Sequence, residues 1–227
     1  MHVRRIFVDR PLDWLRFKLD SFPSDYQPLP WQDADADAGR AAGTLSRWNV
    51  IEPILSEENP RTALDIGANV GWFTFALAKR GVRTVAIERH PRHYRTILYL
   101  ASRLQQENIS LLVTNVDPET VDILPRVDCV VFLSVWHHLV REHGLGSATG
   151  ILEGLWDRTK KVLFFETGES ELSPAFGLPD MGGDDRDWLE KYLGDTCACG
   201  RVEFLGMHLV PEVCGGTSNR HLFAIRR

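Results

Sequence analysis

Residues 62–89 read TALDIGANVGWFTFALAKRGVRTVAIER, and their pattern decides the fold. Thr62 to Ile66 is a short apolar run closed by Gly67, the mark of a buried strand, and Phe73 to Arg80 carries apolar residues at helical spacing. A second apolar run, Thr84 to Ile87, ends on Glu88 about twenty residues after the turn, the length of one βαβ crossover. Nucleotides bind at the mouths of such units. Gly67 and Gly71 permit a tight turn and a close approach of ligand to backbone. The free N–H groups of the next helix face the same crevice, and Glu88 at the strand tip can accept both hydroxyls of a ribose. A dinucleotide fingerprint is G-x-G-x-x-G, whereas here Asn69 stands in place of a middle glycine. Asp65, two residues before Gly67, would repel a pyrophosphate but suits an ammonium, held directly or through water.

S-adenosylmethionine has that ammonium and no phosphate. DIGANVGWFT, Asp65 to Thr74, resembles the first motif, D-x-G-x-x-x-G, of the class I S-adenosylmethionine-dependent methyltransferases, and is especially similar to the DVGAN-type version of the FkbM-like branch. As an order of elements the resemblance runs from about Ala41 to the C-terminus; at residue level it is specific from Ala63 to Glu88. It implies S-adenosyl-L-methionine as cofactor and a donor site formed by Asp65, Gly67, Ala68, Asn69, Gly71, Glu88, Asp117 and Ser134. It also implies a Rossmann-like doubly wound α/β fold: a mostly parallel seven-stranded sheet, helices on both faces, and an antiparallel last strand inserted beside the fifth. The alternative is an ordinary βαβ unit whose glycine turn holds no ligand.

A chain of 227 residues with 44% apolar and 25% charged residues suits one α/β domain with a short extension. The division expected is 1–43 as an N-terminal extension or lid and 44–227 as the methyltransferase domain. Arg4, Arg5, Arg10, Arg16 and Lys18 make the start basic, which fits a recognition element over the crevice or a packed helix with solvated arginines. Ser24 to Gly43 reads as a loop, after which Thr44 caps a helix with Leu45, Trp48, Ile51 and Leu55 on one face. The formal net charge of −5 argues against a chain-wide nucleic-acid face. Without an apolar leader or a run of eighteen apolar residues, the chain is expected to be cytoplasmic and to avoid membranes. Its oligomeric state is not legible.

Beyond Glu88, Pro91 opens a helix bearing Tyr94, Ile97, Leu98, Ala101 and Leu104, and Ile109 to Thr114 is the third strand. Asp117 follows where relatives in the family place a polar residue against the adenine amine; an Asp-Pro turn is the competing reading. Val127 to Ser134 is a fully buried strand that leads into Val135-Trp136-His137-His138-Leu139. This segment is similar to V-L-H-H-L segments lining the substrate side of many class I methyltransferases, the tRNA wobble-uridine carboxymethyl transferases among them. A histidine there supplies a base near neutral pH, and because adjacent helical residues diverge by about 100°, at most one of His137 and His138 faces substrate. A purely structural pair is the alternative. Val162 to Glu166 is the fifth strand, with Glu166 placed to orient substrate or pair with a histidine. Leu172 to Asp185 reads as a substrate-side loop, Asp187 to Leu193 as a short helix, and Arg201–Val210 with His221–Arg226 as closing strands. His138 and His143 miss the metal spacing, and Cys197, Cys199, Cys214 and His208 read as scattered structural groups, so no metal is expected.

The activity expected is S-adenosylmethionine-dependent O-methylation of a small-molecule or sugar-type acceptor, with His137 or His138 as base and Glu166 in support. An RNA (tRNA) methyl or carboxymethyl transferase and a non-catalytic cofactor-binding module are the alternatives.

Overall fold

The computed structural model describes residues 27–30, 38–173, 175–211 and 217–227. Strands β1 (Thr62–Ile66), β2 (Arg83–Ile87), β3 (Ile109–Leu112), β4 (Val127–Leu133), β5 (Thr159–Glu166), β6 (Arg201–Pro211) and β7 (Thr217–Arg226) form a single sheet in the order β3-β2-β1-β4-β5-β7-β6. The pairs among β1 to β5 are parallel, and β7 runs antiparallel between β5 and β6. This is the expected Rossmann-like arrangement. The chain order reverses between β2-β1 and β4, which puts the ligand crevice beyond the carboxyl ends of β1 and β4.

Helices cover both faces, which is why the central strands are apolar almost without interruption. On one face Ala63, Val131, Phe164 and Ala224 form a cluster with Trp48, Ile51 and Leu55 of α1 (Ala38–Glu58) and Phe73 and Leu77 of α2 (Trp72–Lys79). On the other, Leu64, Phe132, Phe165 and Phe223 form a cluster with Trp136, Ile151 and Leu155 of α5 (Trp136–Arg158) and Leu189 and Leu193 of α6 (Asp185–Thr196). Between these come α3 (Pro91–Arg103) and the short α4 (Pro118–Ile123). Trp48 is core, as its helical spacing predicts.

Several boundaries differ from expectation, two of them with a clear local cause. The helix read from Thr44 starts at Ala38, so Thr44 lies inside it and does not cap it; Ala38, Arg40, Ala41 and Ala42 are strong helix formers and carry the helix back into the run read as loop. The helix after β4 spans 23 residues but is interrupted at Gly144, whose φ of 80° and ψ of 163° break the helical ladder between the histidine segment and the helix read from Thr149. The basic N-terminal segment and Cys214 lie outside the described residues. Among the described residues, no helix is long and apolar enough to cross a membrane.

Candidate active site

At the end of β1 the chain turns through three left-handed residues, Gly67 (φ 70°), Asn69 (φ 55°) and Gly71 (φ 87°). The N–H groups of Gly67 and Ala68 both donate to the Ile87 carbonyl, at 2.9 and 3.0 Å, which fastens the turn to the tip of β2. A Cβ on Gly67 would lie 2.5 Å from Val135 Cγ2, and one on Gly71 would lie 2.9 Å from Ile97 Cγ1, so both glycines are required by space as well as by φ. Asparagine tolerates the left-handed region, and Asn69 Oδ1 accepts the Val70 N–H at 2.8 Å.

Two carboxylates flank this turn. Glu88 accepts the Asn69 N–H at 2.8 Å with one oxygen and the His90 N–H at 2.7 Å with the other. Burial would raise its pKa, but hydrogen bonds from His93, His90 and Asn69 outweigh it and hold the carboxyl below its usual range. Asp65 is 3% exposed and accepts the Thr74 hydroxyl at 2.5 Å. Burial pushes it up to about 7 against that hydrogen bond, and the charge of Glu88 adds to the rise. A buried carboxylate in that state is stabilised by an incoming cation. These acids fit the ammonium and ribose of S-adenosylmethionine and oppose a pyrophosphate.

Gln27 packs beside this turn, a contact that sequence reading missed. Its Oε1 accepts the Trp72 N–H, the first of α2, at 3.3 Å, and Leu29 belongs to the buried cluster that holds Ala68, Val70 and Ile97. A lone Gln-Pro pair ahead of the core gives no signal of this in a single sequence.

Asp117 Oδ1 accepts both the Thr120 N–H and the Thr120 hydroxyl at 2.7 Å, capping α4. The side chain placed against adenine by analogy is thus engaged in the Asp-Pro turn that competed with that reading.

On the acceptor side the expectations need more revision. Glu166 is fully buried, and its Oε2 meets Arg47 Nη1 at 2.9 Å while its Oε1 accepts the Ser134 hydroxyl. It pairs with an arginine and a serine, not with a histidine. Ser134 adopts φ 58°, donates its N–H to the Glu166 carbonyl at 2.8 Å and receives Arg220 Nη1 at 3.3 Å, so it ties β4 to β5 and β7. His137 is 3% exposed and turned inward: its Nδ1 accepts the Gly168 N–H at 2.8 Å. A neutral ring bonded that way carries its proton on Nε2 and has no lone pair left for a substrate. Burial first, and then the charge of His138, holds it well below the usual histidine range. His138 is half-buried, and burial, then Arg141, pushes it down to about 4. The two rings lie 4.2 Å apart, each 5.4 Å from Phe176 in the loop before α6.

Beside them is a pair that the sequence did not single out. Glu169, in the segment leaving β5, accepts the His221 backbone N–H at 2.6 Å with Oε1 and meets His221 Nδ1 at 2.7 Å with Oε2. The adjacent Arg220 is bound to Glu171 at 3.0 Å. Farther off, His208 meets the Ser46 hydroxyl at 2.7 Å, and Cys197 is buried, its thiol pushed up to about 12 by that burial.

The strand order, the acid-flanked glycine turn and the crevice beyond β1 and β4 make up a Rossmann-like fold of the kind that class I S-adenosylmethionine-dependent methyltransferases share. No family model matches the chain. It is 27% identical over 135 residues to the O-antigen chain terminator bifunctional methyltransferase/kinase WbdD of Escherichia coli, a match spanning 58% of this chain and 18% of that protein. The crystal structure of WbdD superposes with a TM-score of 0.73 at 23% identity, covering 93% of this chain and 46% of that one. Magnesium protoporphyrin IX methyltransferase (ChlM) from Synechocystis PCC 6803, solved with bound SAM, shares the fold at TM-score 0.58 and 14% identity over 99% of this chain and 95% of its own.

Proposed function

We propose that this chain transfers a methyl group from S-adenosylmethionine to a hydroxyl oxygen of a small, sugar-type acceptor. The observation that carries the reading is the acid-flanked glycine turn at the mouth of the crevice beyond the carboxyl ends of β1 and β4. The likeness to a protein that terminates O-antigen chains supports the acceptor class. Asp65 takes the ammonium of the donor and Glu88 the ribose hydroxyls, while Gly67 and Gly71 let the ligand lie against backbone. When bound, S-adenosylmethionine supplies an electrophilic methyl on a sulfonium. The chain's part is then to align an acceptor oxygen about 3 Å from that methyl, keep water out and receive one proton. The RNA alternative rests on basic residues that lie outside the described ones and on the likeness of Val135 to Leu139 to the wobble-uridine enzymes.

Calorimetry with S-adenosylhomocysteine and NAD tests the donor site, and transfer of labelled methyl to methyl glycosides, metabolite fractions and RNA tests the acceptor. Glu88→Ala is expected to weaken S-adenosylhomocysteine at least about tenfold, since two charge-assisted bonds are worth on the order of 2–4 kcal/mol. Tight NAD binding without a response to S-adenosylhomocysteine, or label appearing in RNA alone, would refute the proposal.

A further inference from the structure

We infer that His221, oriented by Glu169, is the group that takes the proton from the acceptor hydroxyl, an assignment that rests on the O-methyl transfer proposed above. Glu166 pairs with Leu222 across β5 and β7, so His221 lies one position further toward the carboxyl ends of the parallel strands, where ligands of such sheets bind. A single carboxylate receives both the backbone N–H and the ring Nδ1 of His221. That double contact fixes the ring rotation; an ionised Glu169 takes its hydrogen bond from Nδ1–H, which leaves the lone pair on Nε2, and Nε2 has no hydrogen-bond partner among the described residues. Phe204 packs against the ring at 5.6 Å between centroids, and the side chain is 11% exposed, so it is held firmly while an edge stays open.

The other imidazoles are less suited. The lone pair of His137 is spent on Gly168, and the partners of the His138 ring are aromatic, with no carboxylate among the described residues hydrogen-bonded to it. A base oriented by a buried carboxylate is the arrangement that activates hydroxyls in unrelated enzymes. Burial pushes Glu169 up to about 7, so this carboxylate gains when the ring beside it becomes a cation. In the step itself the acceptor O–H proton passes to Nε2 and an oxygen lone pair forms the O–CH3 bond. The S–CH3 bond breaks with its electron pair left on sulfur, and the positive charge of the sulfonium reappears on the imidazolium next to Glu169. Glu169 acts through His221 and is a positioning residue.

The test uses the full chain, labelled S-adenosylmethionine and a panel of methyl glycosides. His221→Asn keeps an amide able to donate to Glu169 but offers no base; it is expected to bind S-adenosylhomocysteine as the wild type does and to lose on the order of 10²-fold or more in kcat. His221→Ala is expected to regain turnover as free imidazole is added. Glu169→Gln is expected to lower kcat with KM unchanged, a split that a loosened fold would not give. Nitrogen NMR of the imidazole, assigned by loss of the signal in His221→Asn, is expected to find the proton on Nδ1. Wild-type turnover in a folded His221→Asn variant, or a proton found on Nε2, overturns the assignment. A wild-type chain that binds S-adenosylhomocysteine but methylates no glycoside overturns the reaction itself, and the assignment falls with it whatever the NMR finds.

Discussion

Arg47 on α1 and Glu166 at the end of β5, 119 positions apart in sequence, form an ion pair at 2.9 Å with both side chains fully buried. Removing one member strands the other's charge inside the protein, whereas the intact pair is at best modestly stabilising. Arg47→Met should therefore cost about 3–5 kcal/mol in chemical denaturation. The double variant Arg47→Met/Glu166→Gln should recover a good part of that loss; equal losses in both would place the cost elsewhere.

Asp65 links stability and cofactor binding with opposite signs. Its folded value, about 7, lies above the ordinary 3.8, so the folded chain holds this proton more tightly than the unfolded one. The resulting stability is full below about 3.8 and is lost as pH rises through about 7. Asp65→Asn can still accept the Thr74 hydroxyl and should flatten that slope, leaving the ligand-free protein at pH 8 no less stable than wild type. The same change removes a charge-assisted bond worth about 1.5–3 kcal/mol, so S-adenosylhomocysteine should bind roughly tenfold or more weakly. Denaturation at pH 6 and 8 together with calorimetry checks both halves.

Gly67→Ala meets two penalties at once: a left-handed φ and a contact of 2.5 Å with Val135 Cγ2. The substitution should lower stability by more than about 1 kcal/mol and abolish measurable S-adenosylhomocysteine binding. Shortening the neighbour in Gly67→Ala/Val135→Ala should relieve the clash and leave the strain, so thermal stability should return only in part.

His137 is expected to matter for the fold more than for chemistry. His137→Ala leaves the buried Gly168 N–H without its acceptor, a loss of about 1–3 kcal/mol. His138→Ala should keep the melting temperature within a few degrees and retain turnover within about tenfold. Thermal melts and turnover of the two variants on one acceptor distinguish these roles.

What was legible in the sequence is what local physics controls. The run from Thr62 to Arg89 declares strand, turn, helix and strand because side-chain periodicity and the demand for positive φ at Gly67 and Gly71 act within a few residues. The acids at Asp65 and Glu88 were legible as flanks of the turn for the same reason, since each stands at a strand tip whose position in the βαβ unit is set by chain length. The antiparallel last strand followed from the resemblance. The acceptor side was decided by tertiary structure alone. Whether His137 points inward depends on the rotation of α5 against the loop after β5, and no spacing in the chain encodes that rotation. Glu166 meets Arg47 only because α1 lies across β5, and Glu169 meets His221, 52 positions away, only because β7 inserts antiparallel to β5 in the register Glu166 to Leu222. Pairings of this kind are fixed by sheet register and helix packing, which are properties of the assembled core, so the sequence by itself determined the acid-flanked turn and the fold determined which partners Glu166, His137 and His221 meet.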